Sequence, residues 1–471
     1  MKLKHLSLSV MMMGASAAVM ASGYHFGTQS VSAQSTANAS AAEAADASTI
    51  FYNAAGMTKL EGTNFSGAVD FVAPQVEYSN ASGKYPTGDA ITRGDGVAGS
   101  TAATSGEITK STVAVPHMYV SHQLNDKTFI GLGVYVPFAS ETEYQRNSVL
   151  RYNLNATSLK TIDINPTIAF KLNDQHSVAV GVIAQHAEAH LRQYANFGFL
   201  IGRSLSLTGA TLLAQNGRAD GFADVNGEDW GFGYNLAWMW DINEQARVGV
   251  NYRSKIEHNL EGNAKWNKSR VAAVYGATAA AQLTSLGYSD DETASVKIST
   301  PESLSVHGMY RLNPKTDLFG DVTWTKHSRF SAAQLIYGNS KPSQGNITYL
   351  NPAWKDSYKI AVGGAYQLND PLQLRFGLAY DKSPVPDEDH RLATMPDNDR
   401  IWYSFGAKYD LNKQSSVDVA YSYVQIKNGK ANVTGVCTTY GVSQCVSSQT
   451  TGTADYKSSA QIFGVQYNHR F

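Results

Sequence analysis

Residues 401–423 read IWYSFGAKYDLNKQSSVDVAYSY, and this stretch decides the fold class. Every second residue is apolar or aromatic from Ile401 to Tyr409, and again from Val417 to Tyr423. A period of two predicts a β-strand with one face in contact with apolar surroundings. Between the two segments, Leu411-Asn412 opens a polar turn, because an Asn side chain caps nearby backbone N–H groups. The stretch therefore predicts a β-hairpin.

The same unit recurs along the chain. Leu-Asn or Ile-Asn stands between alternating segments at 124–125, 172–173, 242–243, 312–313, 368–369 and 411–412. These turns span about three to five residues, whereas the other connections run from about eighteen to forty residues. The long connections lie near 79–111, 139–159, 193–228, 259–300, 330–355, 383–400 and 427–457.

Short turns on one side and long loops on the other are typical of an outer-membrane barrel, whose backbone groups are all paired in a closed ladder. The sequence predicts an all-β fold, a fourteen-stranded antiparallel transmembrane β-barrel over residues 61–471, with both termini in the periplasm. Apolar residues make up only 43% of the chain, as expected when lipid contacts every second residue. A soluble β-sandwich or propeller is the alternative, and it does not explain the loop asymmetry.

Residues 1–21 have the pattern of a secretory signal peptide. Lys2 and Lys4 precede an apolar stretch from Leu6 to Val19, and small residues surround a cleavage site after Ala21. A retained anchor helix is the alternative, but the stretch is short. We expect the mature chain in the outer membrane of a Gram-negative bacterium.

Residues 22–60 are rich in Ala, Ser and Thr and lack strand periodicity. A barrel of fourteen strands has a lumen wide enough for water unless something fills it. We therefore predict that residues 22–60 form an N-terminal hatch, or plug, inside the barrel. A loose periplasmic tail is the alternative.

The chemistry-bearing residues show no catalytic pattern: Gly-x-Ser-x-Gly, His-Glu-x-x-His and phosphate-loop motifs are absent. We expect no enzyme activity and no cofactor. The net charge of −1 and the lack of a basic patch argue against a nucleic-acid partner. Cys437 and Cys445 predict a disulfide in the last long loop; a metal site is disfavoured because no His or further Cys stands at ligand spacing.

The chain resembles the long-chain fatty-acid outer-membrane transporters, the FadL family, which includes aromatic-hydrocarbon uptake proteins. The matching stretches are Ser-Gly-Tyr-His-Phe at 22–26, Phe-Tyr-Asn-Ala-Ala-Gly-Met at 51–57, Gly-Phe-Gly-Tyr-Asn at 231–235, Tyr-Arg-Ser-Lys-Ile at 252–256, Tyr-Asp-Lys-Ser-Pro-Val-Pro at 380–386 and Met-Pro-Asp-Asn-Asp-Arg-Ile-Trp at 395–402. They span the mature chain in the family's order. The resemblance implies a fourteen-stranded barrel with a hatch that passes hydrophobic ligands inward.

The resemblance also implies roles for residues of the tail and hatch. Tyr24 and Phe26 correspond to the tail that reaches into the ligand pocket. Asn53, Ala54 and Ala55 fall on the family's Asn-Pro-Ala box, and Ala54 in place of Pro implies a less rigid hatch.

Pro137 corresponds to an inward kink of the third strand that opens the wall sideways. The residues favour this independently, because a proline lacks the ladder N–H and is confined to bulges and edges. Alternatively, Pro137 only ends the strand at the loop.

Family members that take fatty acids hold the carboxylate with a basic pair. Arg192 lies within one residue of the first basic position, while Leu350 occupies the second. Arg253, Lys255 and Arg375 could substitute from the lumen, although they can also pair with the inward aspartates, which are Asp163, Asp321, Asp381 and Asp418.

Two long loops correspond to the family's outer docking groove. The loop at 193–228 contains Phe197, Phe199, Leu200 and Ile201, and that at 259–300 an Ala-rich helical run. Apolar residues on outer loops suit a hydrophobic docking site, with ordinary loop packing as the alternative.

The resemblance implies passive uptake of hydrophobic molecules, with long-chain fatty acids as the expected ligand. The expected partners are that ligand, outer-membrane lipid and lipopolysaccharide, and the expected state is a monomer. The alternatives are a structural or adhesive surface barrel, an aromatic-hydrocarbon channel and an open porin for polar solutes.

Overall fold

The structure, a computed structural model, describes residues 23–94, 100–109, 112–342, 345–434, 444–445 and 449–471. Its main feature is a closed antiparallel barrel of fourteen strands. The strands are β1 (Thr63–Lys84), β2 (Val113–Asn125), β3 (Thr128–Tyr135 with Ala139–Glu143), β4 (Ala156–Lys171), β5 (His176–Ala195), β6 (Gly221–Asp241), β7 (Ala246–Arg253 with Ile256–Asn267), β8 (Glu292–Thr300 with Ser303–Asn313), β9 (Thr316–Thr325 with Ala333–Lys341), β10 (Gly345–Leu350 with Ser357–Asn369), β11 (Leu372–Asp381), β12 (Arg400–Asp410), β13 (Ser415–Ile426 with Gly429–Thr434) and β14 (Thr451–Arg470).

Each strand pairs with its two neighbours in sequence, and β1 pairs with β14 from Asn64↔Arg470 to Lys84↔Thr451. This pairing closes the sheet, so the backbone groups of β1 and β14 have ladder partners instead of forming an open edge. Two short strands, Gly106–Glu107 and Gln444–Cys445, lie beside β1 and β10.

All six predicted Asn turns are confirmed as the short connections of the barrel. They join β2 to β3, β4 to β5, β6 to β7, β8 to β9, β10 to β11, and β12 to β13. Five of the asparagines accept backbone N–H groups within the turn, as predicted: Asn125, Asn173, Asn243, Asn313 and Asn412.

The period of two sorts side chains between the outer and inner faces of the wall. Phe376, Phe405 and Phe463 point outward and are 53%, 63% and 49% exposed. Ser404 and Gln466, on the alternate positions, are buried inside. An apolar outer face fits a hydrocarbon environment. In the described part of the chain no helix has the length and apolar character required to cross a membrane.

Residues 23–60 lie inside the barrel. They form two short helices, α1 (Val31–Gln34) and α2 (Thr49–Tyr52), and a 3₁₀ helix, Ala54–Lys59. Glu43 makes a two-pronged ion pair with Arg375 of β11, at 2.8 and 2.9 Å. Residues 1–21, the predicted signal peptide, lie outside the described residues.

The outer connections contain four further helices: α3 (Phe197–Ser204), α4 (Gly209–Leu213), α5 (Ser269–Tyr275) and α6 (Ala277–Ser285). The helical run predicted after β7 is therefore confirmed, as two helices that break at Gly276. Gly276 has a φ of 87°, a conformation that glycine adopts without strain.

Candidate functional site

An apolar cavity of about 80 Å³ lies in the outer half of the barrel. Side chains from β4, β5, β7, β8 and β10 form its walls, including Leu159, Leu191, Leu260, Val296, Ile298 and Leu350. Among the described residues, none of the lining side chains is charged. Contact between such a wall and a hydrocarbon ligand is favourable, whereas an ion in this cavity would lack a counter-charge.

Tyr24 closes one side of this cavity. Its ring stacks on Trp354 with the centroids 5.5 Å apart, lies 5.6 Å from the tilted ring of Phe138, and makes an edge contact with Phe330 at 5.7 Å. The phenol donates to the carbonyl oxygen of Ser299 over 3.0 Å. This hydrogen bond leaves no unpaired hydroxyl in the aromatic cluster.

The tail of Tyr24 and Phe26 forms ladder hydrogen bonds with the third strand. The N–H of Phe26 donates to the carbonyl oxygen of Pro137 over 2.7 Å, and the N–H of Ala139 donates to that of Tyr24 over 3.0 Å. Phe26 is fully buried, and its ring stacks on His117 at 5.8 Å. The tail therefore covers the part of β3 that contains Pro137.

At Pro137 the ladder of β3 is interrupted rather than ended. Tyr135 pairs with Asp163 of β4, and pairing resumes between Ala139 and Lys160. Four residue steps on β3 thus oppose three on β4, which defines a bulge. Pairing of β2 with β3 ends at Met118↔Val134, so the two strands separate beyond that point.

A second cavity, of about 110 Å³, lies beside this bulge; Tyr24 lines the first cavity and the next residue, His25, lines the second. Most of the surface of the second cavity is apolar, but its wall also contains charged side chains, which are Asp163, Arg253, Asp321, Lys359 and Asp381. We call it the polar cavity because the first cavity has no charged lining residue among those described.

Asn53, Ala54 and Ala55 fix residues 23–60 to the far wall. The Asn53 side-chain amide donates to the carbonyl oxygen of Trp238 over 3.0 Å and lies 2.8 Å from His307 Nε2. Its Oδ1 accepts the N–H of Ala55 over 3.1 Å, which caps the 3₁₀ helix. Ala54 is the first residue of that helix, a position that suits proline as well.

Arg192 points to the outer side of the wall. Successive side chains of a strand alternate, so Leu191 and Gln193 face inward and Arg192 does not. Its guanidinium donates to Glu143 over 2.7 Å and to Asp224 over 2.8 Å. The structure therefore separates Arg192 from the apolar cavity. Leu350, which stands at the family's second basic position, lines that cavity.

The other basic residues considered for the lumen have separate partners. Arg375 pairs with Glu43, and Lys255 forms an exposed pair with Glu257. Only Arg253, which donates to Asp163 over 3.1 Å, lines the polar cavity.

The outer-loop residues belong to a separate aromatic cluster. Phe197 is fully buried, with its ring 4.8 Å from Tyr288 and 5.9 Å from Trp266. Phe199 and Leu200, on the same helix, are half-buried. Phe197 thus packs the loops together, and the two others lie nearer the surface.

The sequence analysis did not single out several residues of this region. Phe330 lines the apolar cavity, Phe138 and Lys359 line the polar cavity, and Trp354 stacks on Tyr24. Trp354 lies in a predicted outer connection, where a large aromatic residue is itself a signal of packing. Lys359 occupies an inward position of β10, which the alternation of Tyr358, Ile360 and Val362 already indicates.

The structure does not test the predicted disulfide, because Cys437 lies outside the described residues and only the backbone of Cys445 is described. Among the described residues, no group of three His, Cys, Asp or Glu side chains is placed to hold a metal ion.

Comparison with known proteins points in one direction. The family model for outer membrane protein transport protein (OMPP1/FadL/TodX) matches residues 12–471. A protein of Neisseria meningitidis serogroup B described only as an outer membrane protein, NMB0088, is 48% identical over 99% of both chains. The long-chain fatty acid transport protein of Escherichia coli (strain K12) is 28% identical over 82% of this chain and 84% of its own. The crystal structure of a Pseudomonas aeruginosa FadL homologue has a TM-score of 0.82 at 21% identity, covering 95% of this chain and all of its own.

Proposed function

This chain belongs to the OMPP1/FadL/TodX family of outer-membrane transport proteins, and within that family we propose that it takes up long-chain fatty acids. It is an outer-membrane transporter of hydrophobic molecules and not an enzyme. A relative that is 28% identical over most of both chains is a long-chain fatty acid transport protein, which supports the proposal.

The order of the two cavities is the observation that carries the proposal. The uncharged cavity suits a hydrocarbon chain, and the polar cavity on the other side of Tyr24 suits a head group. A fatty acid likewise has a hydrocarbon chain at one end and a polar head group at the other, so one molecule could occupy both cavities. Burial at about 0.8 kcal/mol per CH₂ gives a long acyl chain on the order of 10 kcal/mol, before the costs of binding.

The tail has to move for such a ligand to bind. An engineered cavity of about 150 Å³ holds one benzene ring, and the apolar cavity here is about 80 Å³. A long chain therefore needs the space that the Tyr24 ring fills. We propose that the ligand docks on the outer loops, displaces the tail and leaves sideways between β2 and β3.

Release at this point follows from the bulge. The tail covers Pro137, so its displacement uncovers the part of the wall where β2 and β3 are unpaired. An exit into lipid keeps the acyl chain out of water. The residues 23–60, acting as a hatch, keep an aqueous path closed.

Binding measurements on the purified protein in lipid nanodiscs test the ligand class. Titration with hexadecanoate and with toluene, followed by tryptophan fluorescence, should show saturable binding of hexadecanoate that toluene displaces poorly. Saturable binding of toluene with no binding of hexadecanoate would contradict the proposal.

A neutral aromatic hydrocarbon is the second candidate ligand. The uncharged lining and small volume of the apolar cavity favour it, because one ring fits with less displacement of the tail. The polar cavity has no role for such a ligand, which is why we place it second.

A further inference from the structure

Two buried cationic nitrogens face the polar cavity without a hydrogen-bond acceptor. Lys359 Nζ lies 4.5 Å from the ring centroid of Trp402, and no acceptor is within reach in the described part of the chain. Arg253 donates through Nη2 to Tyr135 and Asp163, but its Nη1 has no partner among the described residues. A desolvated cation without an acceptor is unfavourable, so the binding of an anion beside it is favourable.

Two of the cavity's carboxylates are already occupied on both oxygens. Asp163 accepts from Gln185 over 2.7 Å and from Arg253 over 3.1 Å. Asp321 accepts from Ser305 over 2.5 Å and from Thr323 over 2.7 Å.

The third carboxylate, Asp381, stands opposite Lys359 on the neighbouring strand. Its Oδ2 lies 3.9 Å from Nε of Arg400, whose Nη2 pairs with Asp397, and within the described residues Lys359 Nζ makes no hydrogen bond to it. Among the described residues that line the cavity, Lys359 Nζ and Arg253 Nη1 are buried donors without an acceptor, and Asn251 Oδ1 is a buried acceptor without a donor.

His25, on the tail, faces the same cationic groups. Burial and then the nearby His327, Lys359, Arg253 and Arg400 lower the pKa of His25 to about 3. Its imidazole is therefore neutral at physiological pH, so Lys359 and Arg253 are the basic side chains that can meet an anion in this cavity.

We propose that Lys359 and Arg253 bind the carboxylate of the transported acid in the polar cavity, while its chain lies in the apolar cavity beyond Tyr24. This rests on the proposed function. It explains how Leu350, at the family's second basic position, can be apolar: the head-group site is one compartment deeper. The carboxylate would accept from Nζ of Lys359 and Nη1 of Arg253, and such charge-assisted bonds are the stronger class.

The test compares ligands that differ only in the head group. Hexadecanoate and hexadecan-1-ol are titrated into wild-type protein and into Lys359→Met, Lys359→Arg and Arg253→Gln variants in nanodiscs. We expect Lys359→Met and Arg253→Gln each to weaken hexadecanoate binding at least about tenfold and to leave the alcohol unchanged. Lys359→Arg should keep most of the preference for the acid.

Lys457→Met, which removes an exposed lysine of β14, is the matched control and should change neither affinity. Equal losses for acid and alcohol, or no loss in either variant, would overturn the head-group assignment while leaving uptake of fatty acids intact. Wild-type protein that binds neither compound would overturn the proposed function, and this inference with it.

Should Lys359→Met fail to fold, a density map of the wild-type protein with 16-bromohexadecanoate decides the matter. The carboxylate is expected about 3 Å from Lys359 Nζ, with bromine in the apolar cavity. Bromine beside Lys359 would reverse the orientation and overturn the assignment.

Discussion

The ring of Tyr24 lies between an apolar cavity and a polar one, and its removal should change the affinity for the ligand. Tyr24→Ala deletes a fully packed aromatic side chain, whose burial is worth about 1.5–3 kcal/mol. We expect the affinity for hexadecanoate, measured by titration in nanodiscs, to rise about tenfold or more, because the ligand no longer has to displace this ring. The barrel should stay folded, because the tail contributes little to the strand ladder.

Tyr24→Phe is the control for this change. It keeps the ring and loses only the hydrogen bond to Ser299, so its affinity should stay close to wild type. Unchanged affinity in Tyr24→Ala would remove the tail from the ligand site.

Arg192 lies outside the cavities, and its substitution should leave the affinity for the ligand unchanged. Arg192→Ala breaks the contacts to Glu143 and Asp224 on the outer side of the wall. We expect the affinities for hexadecanoate and hexadecan-1-ol to change less than about twofold, because no charge in either cavity is altered. An acid-specific loss would contradict the outward placement of this side chain.

At the scale of single elements, the Asn turns make a local contribution that can be measured. Asn173 Oδ1 accepts the N–H groups of Gln175 and His176 over 2.9 and 2.8 Å. Asn173→Ala should lower the free energy of unfolding by about 1 kcal/mol, since these bonds are exposed to water. Urea unfolding in lipid vesicles measures it.

Asn369→Ala is the matched control, since in the described part of the chain the Asn369 side chain makes no such bond and Pro371 already restricts its turn. An equal loss in both variants would mean that the side-chain caps contribute nothing specific.

The bulge of β3 can be removed by deleting one residue. Deletion of Pro137 leaves three steps from Tyr135 to Ala139, which matches the three from Asp163 to Lys160 on β4. The strand can then pair without a break. We expect uptake of hexadecanoate by cells to fall strongly while binding to purified protein persists.

Pro137→Val is the companion variant. It restores an N–H group but keeps the extra residue, so the bulge should remain and uptake should fall less. Wild-type uptake after deletion of Pro137 would refute the sideways exit.

At the scale of the whole molecule, we propose that residues 23–60 close the lumen as a hatch, with the ion pair between Glu43 and Arg375 as one of their contacts with the wall. Wild-type protein in planar bilayers should therefore pass little current, unlike an open porin. Arg375→Ala leaves Glu43 buried without its partner, which is unfavourable, and should raise the frequency of open events.

Arg311→Ala removes the same charge from an exposed pair with Asp317 and serves as the control. Steady porin-like conductance of the wild type would contradict a filled barrel.

The sequence predicted most of the barrel because its signals are local. A period of two in strands such as 401–409, and an Asn side chain that caps its own turn, depend only on neighbours in the chain. The same alternation, carried along β5 from Val180 and Val182, also places Arg192 outward. This local signal places Arg192 correctly, whereas its correspondence with the family's basic pair points to the lumen.

What the sequence by itself determined is therefore the closed barrel and its six short turns, while for Pro137 it left open a bulge or a strand end. Only the tertiary structure decided which distant residues meet: Tyr24 with Trp354, Asn53 with His307, and Lys359 with the cavity of Arg253. The physical reason is that closing a barrel brings together strands far apart in the chain. Which inward side chains then become neighbours depends on strand register and on what fills the lumen, and neither is written in any local pattern.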